Sequence, residues 1–430
     1  METITKITAT EKLISAFESS KNSLFGNAQL REQAIESFSK QGIPNRKHEE
    51  YKYVNVELLL KGDFAMSAAT TVKAEQIAIA QMLKNAFVVV IENGIFSKTL
   101  SSIASVPKGI NIQNIAEASG NMVFQKHYAK YAAINSDPFI AMNTAFASGG
   151  VFIHIEKNTV IEKPIHILHV SSVAENTIIN PRNLIVIEEN AQAKIVESFA
   201  TVDAAGKVFN NALTEVFIGA NANVQHYKIQ DENEPGMLLN TTQAYQEKQS
   251  IFSTNNFTLS GLFVRNNLNI VLDDEFIETH LNGLYLTKGN QVVDNHTLVD
   301  HRKPNCNSNE LYKGIIEDKS AATFNGKIFV RKDAQKTNAF QSNKNILLSD
   351  DGTINTKPQL EIYADDVKCS HGTSTGKLDE DKIFYLRARG LSETSAKKLL
   401  MHAFASEVVE NIKIDELRDY VEEKITERFA

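Results

Sequence analysis

LFVRNNLNIVL, residues 262–272, is the stretch that decides the fold. Leu262, Val264, Asn266, Leu268, Ile270 and Leu272 alternate with Phe263, Arg265, Asn267, Asn269 and Val271. One face is mostly aliphatic and the other mixed, the period of two that a half-buried strand requires. The same pattern runs from about residue 151 to 371, broken by polar corners at Glu188–Asn190, Gly219–Asn221, Asp273–Asp274, Lys288–Asn290, Glu317–Lys319, Arg331–Asp333, Asp350–Gly352 and Asp365–Asp366. Many corners lie about 14–18 residues apart and others about twice that. No helix-length amphipathic segment interrupts the run, which argues against βαβ units. Two all-β architectures fit: a sandwich, or a solenoid that stacks short strands into a β-helix. Tight hairpins need residues with positive φ, and 20 Gly with 8 Pro are few for a sandwich of this length. Asn-rich corners favour the β-helix.

Outside this run the period changes. Leu30, Ala34, Ile35 and Phe38 form one helical stripe that Gly42 and Pro44 end. Residues 86–91 (AFVVVI) read as a buried strand. Helical spacing returns over 122–147, with Ser136 or Asp137 as N-cap, Pro138 at the first position and Gly149–Gly150 closing the segment. After Gly376 the chain reads as helical to its end. Asp379 caps a helix to Arg389 with Gly390 beyond it, Ser392 caps the next and Asp415 a third. The second of these carries Ala396, Leu399, Leu400, Ala403, Phe404, Val408 and Ile412 as an apolar face, and the third carries Leu417, Tyr420, Val421 and Ile425. Such a tail buries little alone, so it must pack on the sheet or on another protein. The expected division is a mainly helical region over 1–148, a β core over 149–376 and a helical domain over 377–430.

Composition narrows the function. The 430 residues carry 45 Lys plus Arg against 52 Asp plus Glu, and 45 − 52 gives a net charge of −7. Mild acidity argues against a dedicated nucleic-acid binder. The N-terminal stretch METITKITATEKLISAFESS has early charges and no continuous apolar run, so it does not read as a signal peptide. No stretch approaches the ~18 apolar residues of a membrane span. The sequons at Asn240, Asn256 and Asn295 are then idle, and a cytoplasmic location is expected. The two cysteines, Cys306 and Cys369, exclude a disulfide framework and any self-sufficient Cys-based zinc or iron–sulfur site.

Few motifs carry chemistry. HGTSTGK (His371–Lys377) is one residue short of a phosphate loop, and Leu378 follows where Ser or Thr is needed. Val367, Cys369 and His371 share a face if they lie on a strand, so a thiolate and an imidazole point the same way. Both suit iron or zinc, yet two ligands are too few, and any metal chemistry needs more from another chain. A buried Cys beside a hydrogen-bonded His is the plainer alternative. A Cys–His nucleophile pair is a third, without an evident orienting residue. His280, His296 and His301 fit no metal spacing and read as structural hydrogen-bonding groups. Cys306 reads as inert. Arg46–Lys47–His48 followed by Glu49–Glu50 reads as a solvated, self-compensated surface.

Longer strings carry a resemblance. THLNGLY (279–285), VDNHTLVDH (293–301), ELYKGII (310–316), FNGKIFV (324–330), AQKTNAFQSNKNILLS (334–349), KPQLEIYADDVKCSHGTSTG (357–376) and FYLRARGL (384–391) closely resemble the SufB/SufD family. These are scaffold proteins of the SUF iron–sulfur cluster assembly machinery. DPFIAMNTAFASGG (137–150) and EKPIHILHV (162–170) extend the likeness, and RKHEEYKYV (46–54) resembles a SufD-like element with Tyr51 for the usual Trp and Val54 for Thr. Few cysteines, and no N-terminal cysteine cluster, make the chain more similar to SufD members than to SufB members.

The resemblance implies a right-handed parallel β-helix flanked by helical regions, and a non-catalytic scaffold. It implies a heterodimer with SufB and a SufC ATPase docked on the C-terminal helices, where Leu399, Leu400, Ala403, Phe404 and Val408 are the matching surface. It implies that Cys369 and His371 lie near the SufB interface as a half-site for a transient iron–sulfur cluster completed by SufB. Reduced flavin is associated with complexes of the family, although no dinucleotide motif is present here. Competing classes are a β-helix enzyme acting on acidic polysaccharides and a purely structural homodimer.

Overall fold

Residues 263–272 form one strand, and its alternation divides two cores. Val264, Leu268, Ile270 and Leu272 point into the main core, while Phe263 packs outward under N-terminal helices. The strand is paired in parallel on both sides, with Val264 between Leu238 and Val293. The same holds along the solenoid, as Leu238 opposite Val264 and Ala322 opposite Ile354 show. One turn of chain therefore returns each residue beside its counterpart in the next. The computed structural model describes residues 8–66, 70–232 and 236–429; the first seven residues of the N-terminal stretch lie outside these.

With 41% strand against 25% helix the chain is mainly β, a parallel solenoid of about eight turns. Each turn gives one strand to each of two ten-stranded sheets, and side chains from both meet in the lumen. The expected β-helix is thus present. The corners half a turn apart explain the shorter spacing in the sequence. Asn158, Asn190 and Asn221 occupy one column of these corners, a full turn apart, with φ near +60°, a conformation Asn tolerates better than most residues. They also stack: Asn221 Nδ2 donates to Asn190 Oδ1 at 2.7 Å, and Asn190 Nδ2 to Asn158 Oδ1 at 2.9 Å.

The chain before Gly149 supplies both helices and the start of each sheet. Strand Phe87–Glu92 pairs with Ile95–Ser102 and then with Ile165–Ser171, while Ile110–Asn114 runs antiparallel to Val151–Ile155. Helices Ala9–Ser20, Ala28–Gln41 and Pro138–Phe146 cover the outer face of one sheet through Phe17, Ala34, Phe38 and Phe139. Asp137 caps the last of these, its side chain accepting from Phe139 N at 2.7 Å.

The helical period over 122–147 is realised as two helices, Met122–His127 and Pro138–Phe146. A tertiary contact overrides propensity between them. The Glu215 carboxylate accepts the backbone N–H groups of Ala129, Tyr131 and Ala132 at 2.9–3.1 Å and pairs with buried Arg182 at 2.7 Å.

Helices Glu380–Ala388, Glu393–Val409 and Asp415–Arg428 complete the chain. Asp379 and Ser392 cap the first two as expected. The third starts differently: Ile414 holds the cap position without a side-chain bond, and Asp415, already helical, pairs with Arg418. Met401, Ala405, Val408, Val409 and Ile412 form the stripe that packs on Tyr227, Ile229, Leu284 and Ile315 of the second sheet. Lys313 Nζ donates to Phe404 O at 2.7 Å, and Tyr420 Oη donates to Asp231 at 2.7 Å.

Replacing Glu215 by Ala leaves Arg182 buried and uncompensated and frees three backbone donors. Urea denaturation should show a loss of about 3–5 kcal/mol, the range for breaking a buried pair from one side.

Candidate functional site

The solenoid ends on two strands, Thr353–Ile362 and Lys368–Gly376. Each is the last of its sheet, paired on one side only. Their outer edges leave backbone N–H and C=O groups free to pair, and the final strand is exposed along almost its whole length. This strand contains Cys369 and His371. Its register sets Cys369 beside Ala339, His371 beside Gln341 and Thr373 beside Asn343. Ala339 belongs to an inner cluster, and Gln341 and Asn343 are buried. Cys369 and His371 thus share the inward register at the mouth of the lumen, as their spacing implied.

The two side chains differ in setting. Cys369 is half-buried against the cluster of Ile328, Val330, Ala334 and Ala339, and burial pushes its thiol above the usual range. His371 is exposed, and no side-chain hydrogen bond or ion pair joins it to any described residue. Val367 packs on the same cluster as Cys369. Among the described residues no group of three or more His, Cys, Asp or Glu is placed to hold a metal. The segment His371–Lys377 runs into the extended strand, so it forms no phosphate cradle and does not fit a dinucleotide.

Behind the mouth the lumen is polar. Gln341 Nε2 donates to Glu310 Oε2 at 2.7 Å. Glu310 is 5% exposed, and burial pushes its carboxyl up to about 7. Glu310, Gln341 and His371 are in register on successive strands of one sheet. Sequence reasoning misses this column, although the near-equal spacing of its three members is a signal that reveals it.

Other residues singled out from the sequence lie elsewhere. His301 meets Ser308 at 2.9 Å, and His280 meets Glu278 at 2.8 Å. Cys306 is buried with its thiol pushed up to about 11. The Arg46–Glu50 segment departs from the self-compensated expectation, because its acids reach the solenoid. Glu49 pairs with Lys357 at 2.5 Å and Glu50 with His296 at 3.2 Å, which holds Glu50 down at about 2. The five tail residues divide: Leu399 is 50% exposed and Ala403 exposed, Leu400 and Phe404 are partly covered, and Val408 is fully buried on the sheet.

Comparison with known proteins places this architecture. A family profile described as "SUF system FeS cluster assembly, SufBD core domain" matches residues 169–404. A second, "SufBD protein N-terminal region", matches residues 8–167. The chain belongs to the SufBD family. It is 32% identical over 388 residues to an iron–sulfur cluster assembly SufBD family protein of Synechocystis, covering 87% of this chain and 85% of that one. It is 30% identical over 400 residues to the iron–sulfur cluster assembly protein SufD of Escherichia coli, covering 92% of each. The SufD of Bacillus subtilis is 25% identical over 316 residues, 72% of this chain and 71% of that one. As a SufBD family protein, the chain is an iron–sulfur cluster assembly protein. Among its described residues no helix is long and apolar enough to cross a membrane.

The buried Glu310 carboxyl makes stability pH-dependent. Its folded value, about 7, lies above the unfolded value near 4.5. The unfolded chain therefore loses this proton first, and stability falls as pH rises from about 4.5 to about 7. Glu310→Gln should remove roughly 2 kcal/mol of the decline between pH 5 and pH 8 in urea titrations. An unchanged decline would contradict the assignment.

Proposed function

We propose that this chain is the SufD-like scaffold subunit of a SufB–SufC–SufD complex, and that its open last turn is one half of the cluster-assembly interface. The observation that carries this reading is the pair Cys369 and His371, in one register, at a sheet edge with unpaired backbone. Edge strands recruit further strands, and a two-ligand site needs ligands from whatever docks there. A cysteine-bearing SufB supplies both. Iron and sulfide are cargo at this interface: His371 ligates through the free lone pair of a neutral imidazole, and Cys369 ligates as thiolate, giving up its proton. In isolation the same edge pairs with a second copy of the chain. Membership of an assembly family favours a non-catalytic scaffold over a polysaccharide-acting enzyme, and a cytoplasmic location fits that role.

The C-terminal tail supports the docking of the SufC ATPase. Its buried stripe, which includes Val408, fixes the tail to the solenoid. Phe384, Tyr385, Leu391 and Leu399 remain exposed on the same tail, at 74%, 58%, 36% and 50%. Large apolar side chains left exposed on one short segment mark a protein contact. On this reading ATP-driven association of two SufC subunits pulls on the tails and shears the SufB–SufD pair, opening the interface to iron and sulfide.

Anaerobic reconstitution of the SufB–SufC–SufD complex tests the half-site. His371→Ala should assemble clusters at least tenfold more slowly, followed by absorbance and Mössbauer spectra, with an unchanged melting temperature. Assembly at the wild-type rate would sink the ligand role. Leu399→Asp should abolish pull-down of SufC while circular dichroism stays unchanged; retained capture would contradict the docking surface.

A further inference from the structure

A histidine that ligates a metal through one nitrogen usually donates its other N–H to an acceptor, which fixes tautomer and ring orientation. His371 itself lies exposed at the mouth, and the turn behind it holds an acceptor of the right kind. Gln341 is its in-register neighbour on the adjacent parallel strand, one strand spacing of about 4.8 Å away. Gln341 is 3% exposed. Its Nε2 is committed to Glu310 Oε2 at 2.7 Å, while its Oε1 is buried and has no hydrogen-bond partner. An unsatisfied buried acceptor is costly, so its presence beside an exposed imidazole calls for a reason.

The opposite sheet is shaped around this amide. Gly326 faces it across the lumen, and a Cβ there would overlap Gln341 Nε2. Any side chain at 326 would displace the amide from Glu310. Three residues on three strands thus converge on one orientation of Gln341. Glu310 holds the NH2 end, Gly326 clears its path, and strand register sets Gln341 beside His371.

We infer that Gln341 is the positioning residue of the half-site, its Oε1 accepting one ring N–H of His371 and leaving the other nitrogen's lone pair facing out of the lumen. The functional meaning rests on His371 being a ligand as proposed above, but the hydrogen bond needs only a turn of the exposed ring toward Gln341 and is tested in the free chain. The bond selects the neutral imidazole tautomer before iron arrives. It also restrains a side chain that is otherwise free to rotate in solvent.

The test uses the full chain with 15N-labelled histidine, at a pH where the exposed imidazoles are neutral. Long-range 1H–15N correlations report the tautomer of each ring, and His371→Ala assigns the signal. In the wild type the two ring nitrogens of His371 should be split more widely than those of exposed His48. Gln341→Leu and Gly326→Ala should both collapse that splitting to the His48 value. Buried His301 should keep its shifts in all variants, showing that the lumen is intact. Splitting in the wild type equal to that of His48, or unchanged in Gln341→Leu, overturns the inference. In the reconstituted complex, Gln341→Leu should slow cluster formation about 10–100-fold, the usual loss for such a partner. If the splitting behaves as expected yet His371→Ala assembles clusters normally, the pairing stands and the ligand reading fails.

Discussion

The structure depends on one constraint: each turn of chain must return in register beside the last. Parallel pairing one turn apart puts every inward side chain between two counterparts, one behind and one ahead. Apolar columns meet this easily, as Val264, Val293 and Ala322 do. Polar residues inside the lumen have to be satisfied by neighbouring strands of their own sheet or by the sheet across the lumen. Glu197 is the clearest case, with Thr214 at 2.7 Å, Asn183 at 3.0 Å, and Lys228 and His226 both at 3.2 Å. Burial alone would raise that carboxyl, but Lys228, His169 and His226 outweigh it and hold Glu197 well below the usual range. Glu310 has only Gln341 and Thr297, no cation, and its carboxyl rises to about 7. The same burial produces opposite outcomes, decided by what the neighbouring strand supplies.

A stack built this way is self-sufficient along its sides and unfinished at its ends. At the beginning, the antiparallel strands Ile95–Ser102 and Ile110–Asn114 lie against the first turns, and Phe96, Ile103 and Val106 pack on the lumen core. The outer faces are closed by the N-terminal helices on one sheet and the C-terminal helices on the other. The far end has no equivalent cover among the described residues, and strand Lys368–Gly376 stays exposed. An open parallel edge is an aggregation hazard unless something is meant to pair with it. That is the physical ground for the proposal that a partner docks at this end rather than at a side.

Much of this is legible in the sequence. The alternation of 262–272, the Asn-bearing corners, the Asp137–Pro138 start and the Ser392 cap all follow from local chemistry, and each is realised. Local rules stop at contacts made over long separations. Glu49 and Glu50 look compensated by Arg46 and Lys47, but Lys357 and His296, far along the chain, take them instead. The stripe on helix Glu393–Val409 reads as one broad apolar face, yet the sheet takes Met401, Ala405 and Val408 and leaves Leu399 outside. The helix period cannot say which edge of a broad face meets the sheet. The column from Glu310 to His371 is hidden for a related reason: its members are three different residue types, so only the spacing betrays it.

The shortage of cysteine takes its meaning from these environments. Cys306 is sealed off with its thiol at about 11, and Cys369 is half-buried with its thiol pushed upward by the same desolvation. Neither is a ready thiolate at neutral pH, and a thiol must ionise before it ligates. An imidazole needs no such step when neutral. On the proposed reading, His371 is therefore the group that meets iron first, and Cys369 ionises only once a cation sits close enough to offset its burial. On that same reading, the packing of Ile328, Val330 and Ala339 around one sulfur sets the order of ligation as much as the ligands themselves do.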